Sequence, residues 1–287
     1  MKLIILLLLP TLAFSQLTKG IIKDSTTGKP IPYANIWVEN EDISAMADSI
    51  GQYAIRTTSA GKTLIFSAAG YKAKKAKLME IRGLMLAPAT AIEIREKSLG
   101  TKTVKFGDYN VDRGDLTFGS HGKPWMLARK FRLPSKLSDT PFLKEITLFA
   151  DCHNNNMKLS LRFFEVGADG NPGRELTDKL AIFRVDRGRD DVTVDLTPYN
   201  IKFPENGLFV AVSWMIISQN VKVWYDKRPM QWKEYDPGIA ALPSEESSTW
   251  SYAAGKWEEM GRTPHDYAMK PYRDKFVELA MKLTLSN

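Results

Sequence analysis

The chain has 287 residues, which is enough for two domains of ordinary size. Apolar residues make up 44% and charged residues 25%, values that exclude a disordered or collagen-like chain. A single Cys and three His exclude a disulfide framework and leave little material for a metal centre. The net charge of +7 arises from 40 basic and 33 acidic residues spread along the chain, so it identifies no partner.

The first residues have the order of a secretory signal. Lys2 precedes the apolar run 3–9, and Ala13-Phe14-Ser15 stands before Gln16. This order predicts a signal peptide at residues 1–15. The run is shorter than the ~20 residues of a membrane-spanning helix, and no Cys follows it to accept a lipid. We therefore expect an exported protein of the periplasm or cell surface of a Gram-negative bacterium, without a transmembrane segment in the mature chain.

Short apolar runs separated by turn residues follow, a pattern typical of all-β domains. The first strands are predicted at residues 18–23, 33–38, 52–56, 62–67, 71–77 and 83–87. Together they predict one small β-sandwich.

This stretch also has a recognisable order of motifs. They read Lys19-Gly20-Ile21-Ile22-Lys23-Asp24, Thr27-Gly28-Lys29-Pro30-Ile31-Pro32-Tyr33-Ala34-Asn35-Ile36, Asp48-Ser49-Ile50-Gly51-Gln52-Tyr53 and Phe66-Ser67-Ala68-Ala69-Gly70-Tyr71. Residues 17–88 thereby resemble the carboxypeptidase regulatory-like domain, a transthyretin-like β-sandwich of exported Bacteroidetes proteins. One departure is that Ile50-Gly51 replaces the family's Asp/Asn-Gly turn. The resemblance implies a structural or interaction module.

A polar linker is predicted at residues 89–102, followed by a second domain at 103–287. Its predicted strands are 125–133, 143–150, 157–166, 180–185, 192–196, 208–217, 221–225, 250–252 and 276–285. Within two of these strands, residues 157–163 and 277–285 alternate between the two faces, which predicts one buried face for each strand. Leu208 to Val212 is apolar on both faces, as in a central strand. The fold class predicted is thus all-β, with a small transthyretin-like sandwich followed by a larger jelly-roll-like one.

The second domain carries a resemblance of its own. The motifs concerned are Leu161-Arg162-Phe163-Phe164-Glu165-Val166, Asn171-Pro172-Gly173, Val194-Asp195-Leu196, Tyr199-Asn200-Ile201 and Leu208-Phe209-Val210-Ala211-Val212-Ser213-Trp214. They resemble the C-terminal half of the same Bacteroidetes proteins, which implies a sandwich like that of carbohydrate-binding modules.

Catalytic motifs are missing from the sequence. It contains no Gly-x-Ser-x-Gly elbow, no phosphate loop and no His-Glu-x-x-His. In extended chain the neighbours Cys152-His153 and His265-Asp266 point to opposite faces and cannot form dyads with each other. A buried, inert thiol and a loop position for His121 are favoured. We expect no enzyme and no cofactor.

Two kinds of acidic site stay open. A glycan hydrolase could use two carboxylates, with Glu165, Glu258 and Glu259 as candidates. A structural calcium ion could bind oxygen ligands, although solvated turns are favoured. The calcium candidates are Asp186, Asp190, Asp191 and Asp195, or Asp169 with Asn171.

Aromatic residues are concentrated at the end of the chain, where five of the seven Trp lie at or after position 214. Exposed rings offer flat apolar faces to sugars, and loop positions are predicted for Trp232, Tyr235 and Trp257. The candidate ligand-binding residues are Trp232, Tyr235, Trp250 and Trp257. The alternative is core packing, with Trp214 and Trp224 turned inward and a loop at 229–243 held down by its aromatics.

The sequence therefore predicts a non-catalytic envelope protein that serves in binding or assembly. A polysaccharide is the first expected partner, bound by the C-terminal rings. The alternative is an envelope protein docked at a sheet edge or on the basic surface. Nucleic acid is not expected, because the chain carries an export signal.

Overall fold

The computed structural model describes the chain in seven ranges. These are residues 16–81, 83–89, 100–107, 109–111, 116–132, 139–222 and 234–287. The predicted signal peptide, residues 90–99 of the predicted linker and residues 223–225 of a predicted strand lie outside them.

The first domain contains two facing sheets. Its strands within the described residues are β1 (Gln16–Asp24), β2 (Asn35–Val38), β3 (Ser44–Met46), β4 (Gln52–Thr57), β5 (Thr63–Ser67), β6 (Lys74–Lys77) and β7 (Leu84–Leu86). One sheet has the order β4-β1-β7 and the other β3-β2-β5-β6. Strand β4 buries alternate residues, so one face of its sheet meets the core and the other meets solvent. The core between the sheets includes Ile22, Ile36, Ile55, Leu64, Phe66 and Leu86.

Two aspartates shape the turns of this domain. The Asp24 carboxylate accepts the amides of Thr26 and Thr27 at 2.7 and 2.8 Å, and the Tyr71 hydroxyl at 2.9 Å. The Asp48 carboxylate accepts the amides of Ile50 and Gln52, both at 2.9 Å. Side-chain bonds of this kind stabilise turns without an Asn-Gly pair.

Gly51 completes the turn that departs from the family pattern. Its φ is +72°, and an added Cβ would lie 2.9 Å from the Ile22 carbonyl oxygen. The Ile50-Gly51 turn therefore keeps the glycine where the backbone requires it.

The second domain is a larger sandwich. Its strands within the described residues are β8 (Thr103–Phe106), β9 (Leu116–Ser120), β10 (Met126–Phe131), β11 (Phe142–Cys152), β12 (Met157–Val166), β13 (Pro172–Glu175), β14 (Ala181–Val185), β15 (Gly188–Asp195), β16 (Leu208–Trp214), β17 (Tyr235–Ser244), β18 (Thr249–Ala253), β19 (Lys256–Glu259), β20 (Phe276–Leu279) and β21 (Met281–Ser286). Short 3₁₀ turns lie at Leu78–Glu80, Thr197–Tyr199, Ser218–Asn220 and Lys270–Tyr272. The predicted all-β fold, with a small sandwich followed by a larger one, is confirmed.

The strands of the second domain form two sheets with a shared core. The front sheet has the order β13-β12-β16-β10-β18-β19, with β14 also paired to β12. The back sheet has the order β20-β17-β11-β21-β8, with β15 paired to β11 and β9 to β17. Strand β16 is buried throughout, as predicted for a central strand. The Trp214 ring is fully buried and stacks on Trp125 at 4.9 Å.

The predicted strand 276–285 is divided at Ala280 into β20 and β21. Arg129 of the front sheet reaches across the core to this point and donates to the carbonyls of Leu279 and Met281 at 2.9 and 2.8 Å. Its guanidinium also pairs with Glu278 at 2.7 Å. The division at Ala280 therefore gives the buried Arg129 guanidinium two backbone carbonyls as hydrogen-bond acceptors.

The prediction that β12 buries only one face is wrong. Its polar residues Ser160 and Arg162 are 4% and 7% exposed, because the outer face of the front sheet carries a further apolar cluster. That cluster contains Met126, Ala128, Phe164, Val166, Phe209, Ala211, Trp250 and Tyr252. Arg162 is accommodated there by a two-bond ion pair with Glu175, at 2.7 and 2.8 Å.

The small domain contacts this front sheet. The Gly70 amide donates to Glu175 at 3.1 Å, so one carboxylate joins Arg162 to the first domain. The side chain of Ile65 approaches Gly255 so closely that an added Cβ there would lie 2.9 Å from it. Asp42 forms an ion pair with Lys123. Within the described ranges, no helix is long and apolar enough to cross a membrane.

Candidate functional site

The candidate ring residues occupy strands in the described structure. Tyr235 begins β17, Trp250 lies in β18 and Trp257 lies in β19, whereas Trp232 lies outside the described residues. The loop positions predicted for Tyr235 and Trp257 are therefore wrong. Strand β17 also occupies residues 235–243 of the predicted loop. Within it, Pro237 and Gly238 lie at a register shift between β17 and β9, where a strand tolerates them.

Burial separates the rings further. Tyr235 and Trp250 are each 5% exposed, while Trp257 is half-buried. Trp257 packs against Phe164 and Tyr252, with ring centroids 5.4 and 5.0 Å apart. None of these three described rings is fully exposed to solvent, and ligand binding by them stays a prediction.

Trp250 nevertheless lines a cavity of about 590 Å³ at one end of the front sheet. The ends of β10 and β19, the β12–β13 turn and the β17–β18 connection meet there. The charged and amide side chains around it are Lys130, Arg132, Asp169, Asn171, Glu246 and Glu259. We call this space the loop-end cavity.

The β12–β13 turn is folded by its own backbone. The Gly167 amide donates to the Asn171 carbonyl at 2.8 Å, and the Gly170 amide donates to the Gly167 carbonyl at 2.9 Å. Gly170 adopts a φ of +83°, which suits a residue without a side chain. This geometry places Asp169 and Asn171 at the cavity.

A chain of hydrogen bonds connects the turn to the indole. Trp250 Nε1 donates to Asn171 Oδ1 at 3.1 Å, and Asn171 Nδ2 donates to Asp169 at 2.9 Å. These bonds from Asn171 hold the pKa of the Asp169 carboxyl below its usual value. Asp169 is therefore a carboxylate acceptor at neutral pH.

Lys130 provides a cation at the same place. Its ammonium lies 5.3 Å from the Trp250 ring centroid and 5.5 Å from that of Phe209, and it donates to the Gly170 carbonyl at 3.3 Å. The Trp250 indole, the Asn171 amide and the Lys130 ammonium thus hold one another in position. Such a preordered set of donors and acceptors can bind a polar, uncharged or mixed-charge ligand.

The hydrolase candidates divide between different places. Glu259 lines the loop-end cavity, and β-strand alternation turns Glu258 to the other face. Glu165 pairs with Arg174 at 2.9 Å.

The thiol at Cys152 is buried beside its neighbours. Its Sγ donates to the Asn154 carbonyl at 3.0 Å, and burial raises the pKa of the thiol to about 11. His153 instead contacts Asp236, whose carboxylate is buried and lies 3.3 Å from His153 Nδ1.

We expect native Cys152 to react with a disulfide reagent at pH 8 roughly two orders of magnitude more slowly than the unfolded chain, since its thiolate fraction is reduced by that factor. Labelling in buffer and in guanidinium measures the ratio. Equal rates would contradict burial of the thiol.

His265 and two of the calcium candidates have local partners. His265 Nδ1 lies 2.6 Å from Asp274, and this hydrogen bond raises the pKa of the exposed imidazole. Asp186 accepts the Asn156 amide at 2.8 Å, and Asp191 accepts the Tyr109 hydroxyl at 2.6 Å. Over the part of the chain that the structure describes, no group of three or more His, Cys, Asp or Glu could hold a metal ion.

Family comparison bears on the first domain. Residues 18–83 match the model of the CarboxypepD_reg-like domain, which confirms the regulatory-like domain predicted in this stretch. No curated protein and no solved structure matches the chain significantly.

Proposed function

We propose that the chain is a non-catalytic, exported binding protein of the cell envelope and that its loop-end cavity binds a glycan. The observation that carries this proposal is the convergence of Asp169, Asn171, Lys130 and Glu259 around Trp250 in one cavity. Sugar hydroxyls donate and accept hydrogen bonds, and carboxylate, amide and ammonium groups supply both kinds of partner.

The mode of binding differs from open ring stacking. Trp250 is 5% exposed and Lys130 lies over its ring, so the indole offers little surface on which a sugar could stack. Its contribution is to hold the side chains of Asn171 and Lys130 in position. We expect recognition through hydrogen bonds to hydroxyl or carboxylate groups of a saccharide, with Trp250 Nε1 orienting Asn171.

Export is proposed from the first residues alone. The order of Lys2, the apolar run and Ala13-Phe14-Ser15 supports removal of a signal peptide before Gln16. Cell fractionation with N-terminal sequencing of the product tests this, and a cytoplasmic chain that retains residues 1–15 would contradict it.

The binding proposal is tested with the processed chain on a panel of plant, algal and bacterial-envelope polysaccharides. Pull-down and intrinsic Trp fluorescence supply two readouts. Saturable binding to one polysaccharide class is expected, and Asn171→Ala should weaken it. Asn200→Ala should not, because Asn200 follows the 3₁₀ turn Thr197–Tyr199 and does not line the cavity. Absence of binding across the panel would contradict the proposal.

The hydrolase alternative rests on the carboxylates at the cavity. Hydrolysis needs two carboxyl groups ~5–10 Å apart on either side of the bond that is cleaved. Release of reducing sugar by the purified chain, abolished in Glu259→Gln, would replace the binding proposal with this one. Unchanged polysaccharide length after prolonged incubation is the expected result.

A further inference from the structure

One edge of the small domain is unpaired over several residues. The amides of Ile22 and Asp24 donate at 2.9 Å toward the β4 side of β1, to Gly51 and Lys29. The amides and carbonyls of the odd-numbered residues of β1 therefore face the edge of the sheet that lies away from β4. Strand β7 covers that edge only at Ile22, Lys23 and Asp24, and no strand among the described residues pairs with it from Leu17 to Ile21.

A cavity of about 330 Å³ lies along this free edge. Its lining includes Lys19, Gly20 and Ile21 of β1, Met85 of β7, and Tyr53. Tyr53 is 5% exposed, and within the described ranges its hydroxyl has no hydrogen-bond partner.

The outward face beside the edge is both apolar and cationic. Leu17, Ile21 and Met85 are 43%, 39% and 47% exposed, although large apolar side chains are usually buried. Lys19 lies between Leu17 and Ile21 on the same face, and Lys23 lies opposite Met85 in the register of β1 and β7. Neither lysine forms an ion pair with any described residue.

We propose that this free edge binds an extended, acidic peptide segment of a partner protein, which adds to the sheet as a further strand beside residues 17–21. Directly opposite side chains in neighbouring strands lie ~5 Å apart and select one another. The segment would place a carboxylate opposite Lys19 and apolar side chains opposite Leu17 and Ile21. Its recognition pattern is therefore an acidic residue with an apolar residue two positions before it and two positions after it.

The backbone argument favours a peptide over a lipid surface. Free amides and carbonyls on an edge are satisfied by another strand, which is the basis of strand addition. Lysines at an edge also oppose pairing between two copies of the same edge, whereas they attract an acidic strand. This inference uses a different surface from the loop-end cavity, so either can fail without the other.

The test uses a fluorescein-labelled peptide with the order Thr, Val, Thr, Glu, Thr, Val, Thr, titrated with the processed chain and read by fluorescence anisotropy. A second peptide carries Lys in place of Glu. The variants are Lys19→Glu and the matched control Lys72→Glu, an exposed lysine outside the strands. Circular dichroism of each variant verifies the fold.

Saturable binding of the Glu peptide is expected, weakened about tenfold by Lys19→Glu and unchanged by Lys72→Glu. The Lys peptide should bind Lys19→Glu better than it binds the parent chain. Absence of binding, or equal binding by Lys19→Glu, overturns the proposal. Binding to phosphatidylglycerol vesicles that Lys19→Glu abolishes, without peptide binding, would assign the surface to a membrane instead and also overturns it.

Discussion

Replacing Glu175 with Ala is expected to lower the free energy of unfolding by about 3–5 kcal/mol, because it leaves Arg162 as a buried cation without a carboxylate. The side chains of this pair are only 8% and 9% exposed, and two hydrogen bonds join them. The change also removes the acceptor of the Gly70 amide, so the contact between the domains should loosen. Denaturant unfolding measures the first effect, and hydrogen exchange of the segment around Gly70 measures the second.

Glu165→Ala is the matched control for this prediction. Glu165 pairs with Arg174, whose side chain is 53% exposed, and exposed pairs contribute ~0–1 kcal/mol. A similar loss of stability in Glu165→Ala and Glu175→Ala would contradict the buried role of Glu175. Unchanged exchange at Gly70 in Glu175→Ala would contradict the contact between the domains.

Trp214→Ala is expected to destabilise the large domain by about 3–5 kcal/mol, since it leaves a cavity in the core. The ring is fully buried, stacks on Trp125, and donates from Nε1 to the Pro237 carbonyl at 2.9 Å. The substitution therefore removes packing and leaves a buried carbonyl without its donor. Guanidinium unfolding followed by circular dichroism measures the loss.

Trp257→Ala provides the comparison for that change. Its ring is half-buried at the outer face of the front sheet, so a smaller loss is expected. Equal effects of the two substitutions would contradict the assignment of Trp214 to the core.

The sequence predicts correctly those strands whose bounds depend only on the pattern of neighbouring residues. The bounds of β12 agree with the prediction at both ends, because alternation over residues 157–163 and the turn residues that follow Val166 define a strand. The burial of Arg162 could not be predicted, because its partner Glu175 lies on another strand and the small domain contacts that carboxylate. The division at Ala280 likewise depends on Arg129, which is distant in sequence.

The loop-end cavity was only partly predictable. The sequence marks Trp250 as a candidate ligand-binding aromatic and Asp169 with Asn171 as calcium candidates, but no sequence pattern joins the two sets. The strand order of the front sheet brings them together with Lys130. Lys130 and Arg132 gave no signal of their own, since basic residues near strand ends are common on protein surfaces.

Binding of the processed chain to a polysaccharide, compared between Glu259→Gln and Glu258→Gln, tests the central claim most directly. Both residues are exposed neighbours on β19 with the same charge, but only Glu259 lines the loop-end cavity. Isothermal titration should show binding weakened about tenfold or more in Glu259→Gln and unchanged in Glu258→Gln, as expected for loss of a charged hydrogen-bond acceptor. Equal affinity in both variants would contradict a glycan site in this cavity.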